Sequence, residues 1–281
     1  MGCLLFDVAF TAALFLTGLS FGRFLLNLPL SESLIKRLCP GETAFSSLKQ
    51  YLYFSGVWIL FLSAMLLSPS DRTMLRDFPV GRKNLIRFLP GLITGFAANA
   101  VCVCGALLTR SFTLQPAPGS KGQLLVFLPV VLLQAGAEEL AFRYYLYQKL
   151  QKLCRSPLIA AAATVLLFLL LHIWNAGFNA LGAIEIILMG ILLTLIAADP
   201  ENLWTAIAFH TAWNASQTLL FGLKNSGATS GVSVFLPESV QNGIFYDAAF
   251  GLEGSIGACA VLSLAITALL LNRKAAEKPV L

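Results

Sequence analysis

Charged residues are scarce in this sequence. Only 12% of the 281 residues are charged and 57% are hydrophobic, with a mean hydropathy of +0.79. Soluble globular domains carry about 25% charged residues. A large soluble core cannot explain the shortage, because such a protein would still need a polar surface. The composition therefore excludes a soluble domain and predicts an integral membrane protein that crosses the bilayer several times.

The usual metal-binding patterns are missing as well. The chain has two histidines and no HExxH motif, and its six cysteines are scattered without a CxxC pair. We therefore predict no metal and no other cofactor, and we interpret the cysteines as small packing residues. The net charge of +5 does not indicate nucleic acid, because the basic residues lie in short connections between apolar runs, where they set membrane topology.

Long apolar runs dominate what is present. Each must be a helix in lipid, because backbone groups find no water there. The runs are also too long and too uniformly apolar for barrel strands. The sequence thus predicts an all-α fold, a polytopic membrane helix bundle with about eight transmembrane helices in a single membrane domain, residues 1–281. The eight apolar segments are residues 3–22, 51–68, 88–108, 124–145, 156–175, 180–198, 202–221 and 250–271.

The connections between these segments predict the topology. Residues 109–123 and 222–249 are rich in Gly, Ser, Pro and Asn and are predicted to be loops. If the segments alternate, eleven basic residues lie on the side of the amino terminus and seven on the other. Because cytoplasmic connections carry the excess of basic residues, both termini are predicted to be cytoplasmic.

Few ionisable residues lie within the apolar segments, and the densest group is EELAFR at 138–143. A charge at the bilayer centre costs about 2.5–3.5 kcal/mol on insertion scales, so these residues need partners or a wet cavity. Glu139 and Arg143 are four residues apart and can pair. Glu138 lies about 100° around the helix from Glu139 and is left for another partner. Glu185, in the sixth segment, is expected to line the same cavity or to pair with another helix.

Both histidines also lie in apolar segments. His172 ends FLLLH at 168–172, and His210 begins HTAWN at 210–214, so that His210 and Asn214 share a helix face. A carboxylate backed by histidine can take a proton from water and return it to a leaving amine. A histidine and an asparagine can donate hydrogen bonds to an oxyanion. These residue types therefore suit amide hydrolysis without a covalent nucleophile.

Together the three patterns resemble a known family. EELAFR matches EExxxR, FLLLH matches FxxxH and HTAWN matches HxxxN, in the order found in the CPBP family. That family comprises the type II CAAX prenyl endopeptidases and the bacterial bacteriocin-processing or Abi-type proteins. The resemblance covers roughly residues 124–220, the predicted catalytic core. It implies an eight-helix, metal-independent glutamate endopeptidase that cleaves near the carboxyl terminus of a membrane-associated protein or peptide, such as a prenylated CaaX protein.

The resemblance also implies a role for each motif residue. Glu138 would activate the attacking water, and His172 would help to hold and deprotonate that water. His210 and Asn214 would form the oxyanion site.

Glu139 and Arg143 would be supporting residues that order the site. The implied partners are a membrane-associated protein or peptide substrate and the lipid bilayer, without nucleic acid, and the sequence does not set an oligomeric state. Two alternatives remain open. One is a non-catalytic protein that confers bacteriocin self-immunity or acts as a membrane scaffold. The other is a zinc-dependent protease in which the two histidines and two glutamates bind the metal.

Overall fold

The computed structural model describes residues 2–118 and 122–276, and these residues form an α-helical bundle, as predicted. The few other elements are single helical turns and two short strands. The α-helices in chain order are α1 (Gly2–Leu26), α2 (Pro29–Leu38), α3 (Glu42–Leu52), α4 (Phe54–Leu67), α5 (Arg72–Arg76), α6 (Arg82–Leu108), α7 (Gly122–Glu139), α8 (Gln148–Cys154), α9 (Pro157–His172), α10 (Ala180–Ile196), α11 (Leu203–Ala215) and α12 (Ile256–Ala276).

π-helical and 3₁₀ segments extend or precede several of these helices. A π-helical segment, Leu140–Tyr147, joins α7 to α8, and a second one, Ser216–Leu220, continues α11. Short 3₁₀ turns, Pro200–Asn202 and Leu252–Gly254, precede α11 and α12. The first π segment begins directly after Glu139 and the second begins two residues after Asn214, and π turns inside helices are frequent at functional sites.

The two connections predicted to be loops contain one small antiparallel sheet. Strand β1 (Thr113–Pro116) pairs with β2 (Phe235–Glu238), and Thr113 lies opposite Glu238. The prediction of loops throughout 109–123 and 222–249 is therefore corrected at these two strands. Four residues are too few for the alternation of a strand to stand out in the sequence. Residues 119–121 of the first connection lie outside the described residues.

The number of full-length spans is smaller than the eight segments suggest. Helix α9 has 16 residues and α10 has 17, which at 1.5 Å per residue reach only about 24–26 Å of a hydrocarbon core about 30 Å thick. Helix α10 is long enough to be a span only together with Pro200–Leu220, and these two helical parts are bent by 117° relative to each other. By length and composition the described chain thus has five spans, or six with the bent pair, and one shorter apolar helix. The five are Gly2–Leu26, Glu42–Leu67, Arg82–Leu108, Gly122–Cys154 and Ile256–Ala275.

Polar contacts bring several connections to one end of the bundle. Lys149 Nζ lies 3.3 Å from Asp7 Oδ1 and 3.1 Å from Asp71 Oδ2, so the start of α1, the turn after α4 and the start of α8 meet there. Arg273 near the end of α12 donates to the carbonyl of Leu195, which adds the end of α10. We call this the terminal end, because it holds the start of α1 and the end of α12.

The other connections meet at the opposite end, which we call the loop end. The β1–β2 sheet lies there, and Ser47 Oγ of α3 donates to the carbonyl of Thr229 at 2.8 Å. The long connection between α11 and α12 therefore folds back over the ends of α3 and α6.

Glycine residues set how closely α11 packs in the bundle. A Cβ atom on Gly95 of α6 would collide with the backbone of Phe209, and one on Gly91 would collide with the backbone of Thr205. Small residues at such positions let membrane helices approach closely. Helix α11, which carries His210 and Asn214, is therefore held against α6 and is buried from Ala206 to Asn214.

Candidate active site

One cavity brings the predicted catalytic residues together. It has a volume of about 470 Å³, within the range of small-molecule and peptide-group sites. Its walls come from α1, α3, α4, α7, α9, α10 and α11 and from the long connection after α11. Glu185 also lines the cavity, as expected from the sequence. The four predicted catalytic residues that line it are Glu138, His172, His210 and Asn214.

Glu138 lies in the last turn of α7 with one oxygen held and the other free. Its Oε1 accepts a hydrogen bond of 2.7 Å from Gln134 Nε2, one helical turn earlier. Among the described residues its Oε2 has no hydrogen-bond partner, and this oxygen lies 3.7 Å from His210 Nε2. The free oxygen is thus the atom that can exchange a proton with a molecule in the cavity.

Glu139 is directed away from the cavity toward two cationic or polar partners. Its Oε1 accepts from Arg143 Nη1 at 3.0 Å and from His210 Nδ1 at 2.8 Å. The predicted pairing of Glu139 with Arg143 is present, and both side chains are completely buried. The Arg143 guanidinium also lies 4.4 Å from the ring centre of Phe168. The ion pair therefore contacts the ring of Phe168 through Arg143 and the ring of His210 through Glu139.

These contacts fix the orientation of the His210 ring. A carboxylate only accepts hydrogen bonds, so Nδ1 carries a proton and donates it to Glu139. That leaves Nε2 on the cavity side, where it faces Glu138. The second nitrogen of a histidine is commonly oriented in this way by the partner of the first.

His172 is oriented by its own helix. Its Nδ1 donates to the carbonyl oxygen of Phe168 at 2.7 Å, so Nε2 is the nitrogen available to the cavity. Its ring packs against the ring of Phe168 with a centroid distance of 4.4 Å. Phe168, the first residue of FxxxH, therefore contacts both His172 and Arg143. No hydrogen bond links His172 to Glu138 among the described residues.

Asn214 uses both atoms of its amide. Its Nδ2 donates to Gln134 Oε1 at 3.1 Å, and its Oδ1 accepts from Asn225 Nδ2 at 3.0 Å. Because an amide nitrogen carries two protons, one N–H of Asn214 remains for a molecule in the cavity.

Among the other polar residues that line the cavity, the sequence patterns did not identify Gln134 and Asn225, and they gave no role to Glu253 of the last apolar segment. Gln134 is four residues before Glu138, so helical spacing alone was a usable signal. Asn225 and Glu253 come from the connection between α11 and α12, and no helical spacing relates them to the motifs.

Candidate metal ligands form no cluster in this part of the chain. Within residues 2–118 and 122–276, no three His, Cys, Asp or Glu side chains are arranged to hold a metal ion. The two histidine Nδ1 atoms donate to Glu139 and Phe168.

Comparison with known proteins identifies one family. Residues 120–216 match the family described as Type II CAAX prenyl endopeptidase Rce1-like. The matched range contains EExxxR, FxxxH and HxxxN, with all four residues that the sequence analysis predicts to be catalytic. No curated protein and no solved structure shows significant similarity to the chain.

Proposed function

We propose that the chain is an intramembrane endopeptidase of the Rce1-like type II CAAX prenyl endopeptidase family, because residues 120–216 match that family. It hydrolyses a peptide bond near the carboxyl terminus of a membrane-associated protein or peptide. The catalytic core is residues 124–220 of one membrane domain, residues 1–281. The observation that carries the proposal is the arrangement of Glu138, His172, His210 and Asn214 around one cavity.

In the first step, a water molecule loses a proton to Oε2 of Glu138, the carboxylate oxygen that has no hydrogen-bond partner. The water oxygen attacks the carbonyl carbon of the substrate at the same time. His172 Nε2 accepts the other proton of this water in a hydrogen bond and keeps its lone pair directed at the carbon. General-base assistance of this kind contributes typically about 10²–10⁴-fold to the rate.

The carbonyl oxygen of the substrate becomes an oxyanion, which accepts two hydrogen bonds. One comes from the unused N–H of Asn214, and the other comes from Nε2 of protonated His210. Glu138 then returns its proton to the amide nitrogen, the carbon–nitrogen bond breaks, and an amine and a carboxylic acid leave.

Glu139 and Arg143 support the site without contacting the substrate. Glu139 holds His210 Nδ1 at 2.8 Å and balances the charge of the protonated imidazole, and Arg143 balances Glu139. Removing either residue would therefore misalign His210.

The test compares purified wild type with Glu138→Gln and Asn214→Ala on prenylated and leader-peptide substrates. The control is Glu42→Gln, which removes an exposed carboxylate at the start of α3. We expect a rate loss of about 10²–10⁴-fold for Glu138→Gln and about 10²–10³-fold for Asn214→Ala, with no loss for Glu42→Gln. A folded Glu138→Gln variant that cleaves as fast as wild type would refute the assignment.

Two further arms of this experiment address the alternatives. Loss of cleavage with a chelator, restored by zinc, would favour the zinc-dependent protease. Absence of any cleavage, together with immunity to a bacteriocin that survives Glu138→Gln, would favour the non-catalytic protein.

We also propose that both termini face the cytoplasm of a bacterial plasma membrane, because the connections on that side hold eleven basic residues against seven. Two of the counted residues, Lys121 and Lys278, lie outside the described residues. The exposed residues that line the cavity, among them Trp174, Ala228 and Thr229, lie at the loop end. In this orientation the cavity opens away from the cytoplasm, which favours a peptide presented at the outer face as the substrate.

A further inference from the structure

A chain of amide hydrogen bonds connects two of the carboxylates that line the cavity, those of Glu138 and Glu253. Asn225 Nδ2 donates to Glu253 Oε1 at 2.9 Å and to Asn214 Oδ1 at 3.0 Å. Asn214 Nδ2 donates to Gln134 Oε1 at 3.1 Å, and Gln134 Nε2 donates to Glu138 Oε1 at 2.7 Å. We call these five residues the amide chain.

The direction of every bond in the amide chain is set by its two ends. Glu138 Oε1 and Glu253 Oε1 accept these hydrogen bonds, so Gln134 and Asn225 turn their nitrogen atoms toward them. The oxygen of Gln134 then faces Asn214 Nδ2, and the second proton of Asn225 faces Asn214 Oδ1. A flipped Asn214 amide would place oxygen against oxygen at Gln134 and nitrogen against nitrogen at Asn225.

Glu253 is buried and firmly anchored. It is 4% exposed, and its carboxylate accepts from Trp213 Nε1 at 3.3 Å, from Ser226 Oγ at 3.0 Å and from the backbone nitrogen of Ser226. Trp213 precedes Asn214 on α11. Glu253 therefore ties the end of α11 to the turn that carries Asn225.

That turn is itself fixed. Asn225 and Ala228 exchange backbone hydrogen bonds of 2.8 and 2.9 Å around Ser226 and Gly227, whose φ angles are 45° and 86°. Two positive φ angles in a row are the geometry of a type I′ turn. A Cβ on Gly227 would collide with the carbonyl of Ala176. This closed turn packs against the connection between α9 and α10, and it therefore holds the Asn225 side chain at the cavity.

We propose that Gln134, Asn225 and Glu253 are positioning residues that hold the Asn214 amide in one orientation, with its unused N–H toward the substrate. This inference rests on the proposed function for its catalytic consequence, because a flipped Asn214 would present an oxygen to the oxyanion. Asn225 and Glu253 lie outside the family match at 120–216. The connection between α11 and α12 therefore completes the site, rather than only covering it.

Asn225→Leu tests the proposal, because leucine has a similar size and no donor. We expect kcat to fall by about 10- to 100-fold, less than the loss of an oxyanion donor itself, with KM within two-fold of wild type. In an Asn214→Ala background the same substitution should change kcat less than two-fold, because its effect passes through Asn214. The control is Asn84→Leu at the terminal end, where the asparagine side chain makes no hydrogen bond among the described residues.

A second readout needs no substrate. The decrease in unfolding temperature caused by Asn225→Leu should be smaller in the Asn214→Ala background than in wild type, since one of its two hydrogen bonds is already lost. Additive effects on both kcat and unfolding temperature would overturn the proposal, as would a folded Asn225→Leu variant with wild-type kcat. A wild type that cleaves none of the substrates would refute the proposed function, and the unfolding temperatures would still decide whether the amide chain holds Asn214.

Discussion

Arg143 is completely buried, and its charge is compensated mainly by Glu139, 3.0 Å away. Breaking a buried pair by removing one partner typically costs about 3–5 kcal/mol, because the other charge is left without compensation. We therefore expect Arg143→Met to lower the free energy of unfolding by about that amount. The measurement is thermal or denaturant unfolding in detergent.

A paired substitution is the control for this prediction. Arg143→Met combined with Glu139→Gln removes both charges, and the double variant should be more stable than Arg143→Met alone. A double variant that is no more stable than the single one would show that Arg143 acts through packing on Phe168, and not through its charge.

For individual residues, the sequence predicts side-chain contacts within one helix better than contacts between segments that are distant in the chain. The Glu139–Arg143 pair followed from a spacing of four residues, and the same rule reaches Gln134 beside Glu138. The contact between His210 and Glu139 links two helices, and only the family resemblance brought these residues together beforehand. No sequence pattern indicated a role for Asn225. The turn that positions it depends on how the connection after α11 packs against α3, against the connection after α9 and against Glu253.

Among the helices, α11 depends most on close packing, because Gly95 of α6 meets the backbone of Phe209, the residue before His210. Gly95→Leu would force α11 away from α6, and overpacking of this kind typically costs about 1–3 kcal/mol. We expect a loss of peptidase activity larger than the loss of stability, because His210 and Asn214 move together with the helix. Cleavage assays and unfolding temperatures measured on the same preparation check this.

Ala97→Leu is the matched control, since Ala97 is exposed on the same helix and faces the surroundings of the bundle. It should leave both activity and unfolding temperature near wild type. If Gly95→Leu behaves like Ala97→Leu, the approach of α6 and α11 does not determine the geometry of the site.

The helices themselves were predictable where apolar length decides the structure. Each of the eight apolar segments contains a helix close to the predicted place, because a long apolar run has few alternatives in lipid. The 117° bend between α10 and α11 was not predictable from hydropathy, since it depends on Asp199 and Pro200, which end one helix and start the next within three residues. Because of this bend, α10 has the length of a span only together with Pro200–Leu220.

Acidic side chains outnumber lysine and arginine in the described lining of the cavity. Its lining carries the carboxylates of Glu138, Glu185 and Glu253 and no lysine or arginine among the described residues. A peptide with a lysine near the scissile bond should therefore bind more tightly than the same peptide with a glutamate, by about ten-fold in KM. Glu185→Gln should reduce this preference, because Glu185 Oε1 has no hydrogen-bond partner to lose. Equal KM values for the two peptides would contradict the prediction.

The orientation of the whole molecule decides which compartment supplies the substrate, and two engineered cysteines can measure it. Lys152→Cys lies at the terminal end and Ala228→Cys on the exposed rim of the cavity, each in a variant whose native cysteines are replaced by serine or alanine. Because the basic excess predicts a cytoplasmic terminal end, a membrane-impermeant maleimide should label Ala228→Cys in intact cells and Lys152→Cys only after the membrane is opened. The reverse labelling would turn the cavity toward the cytoplasm, where prenylated proteins are the accessible substrates, and the positive-inside assignment would then be wrong.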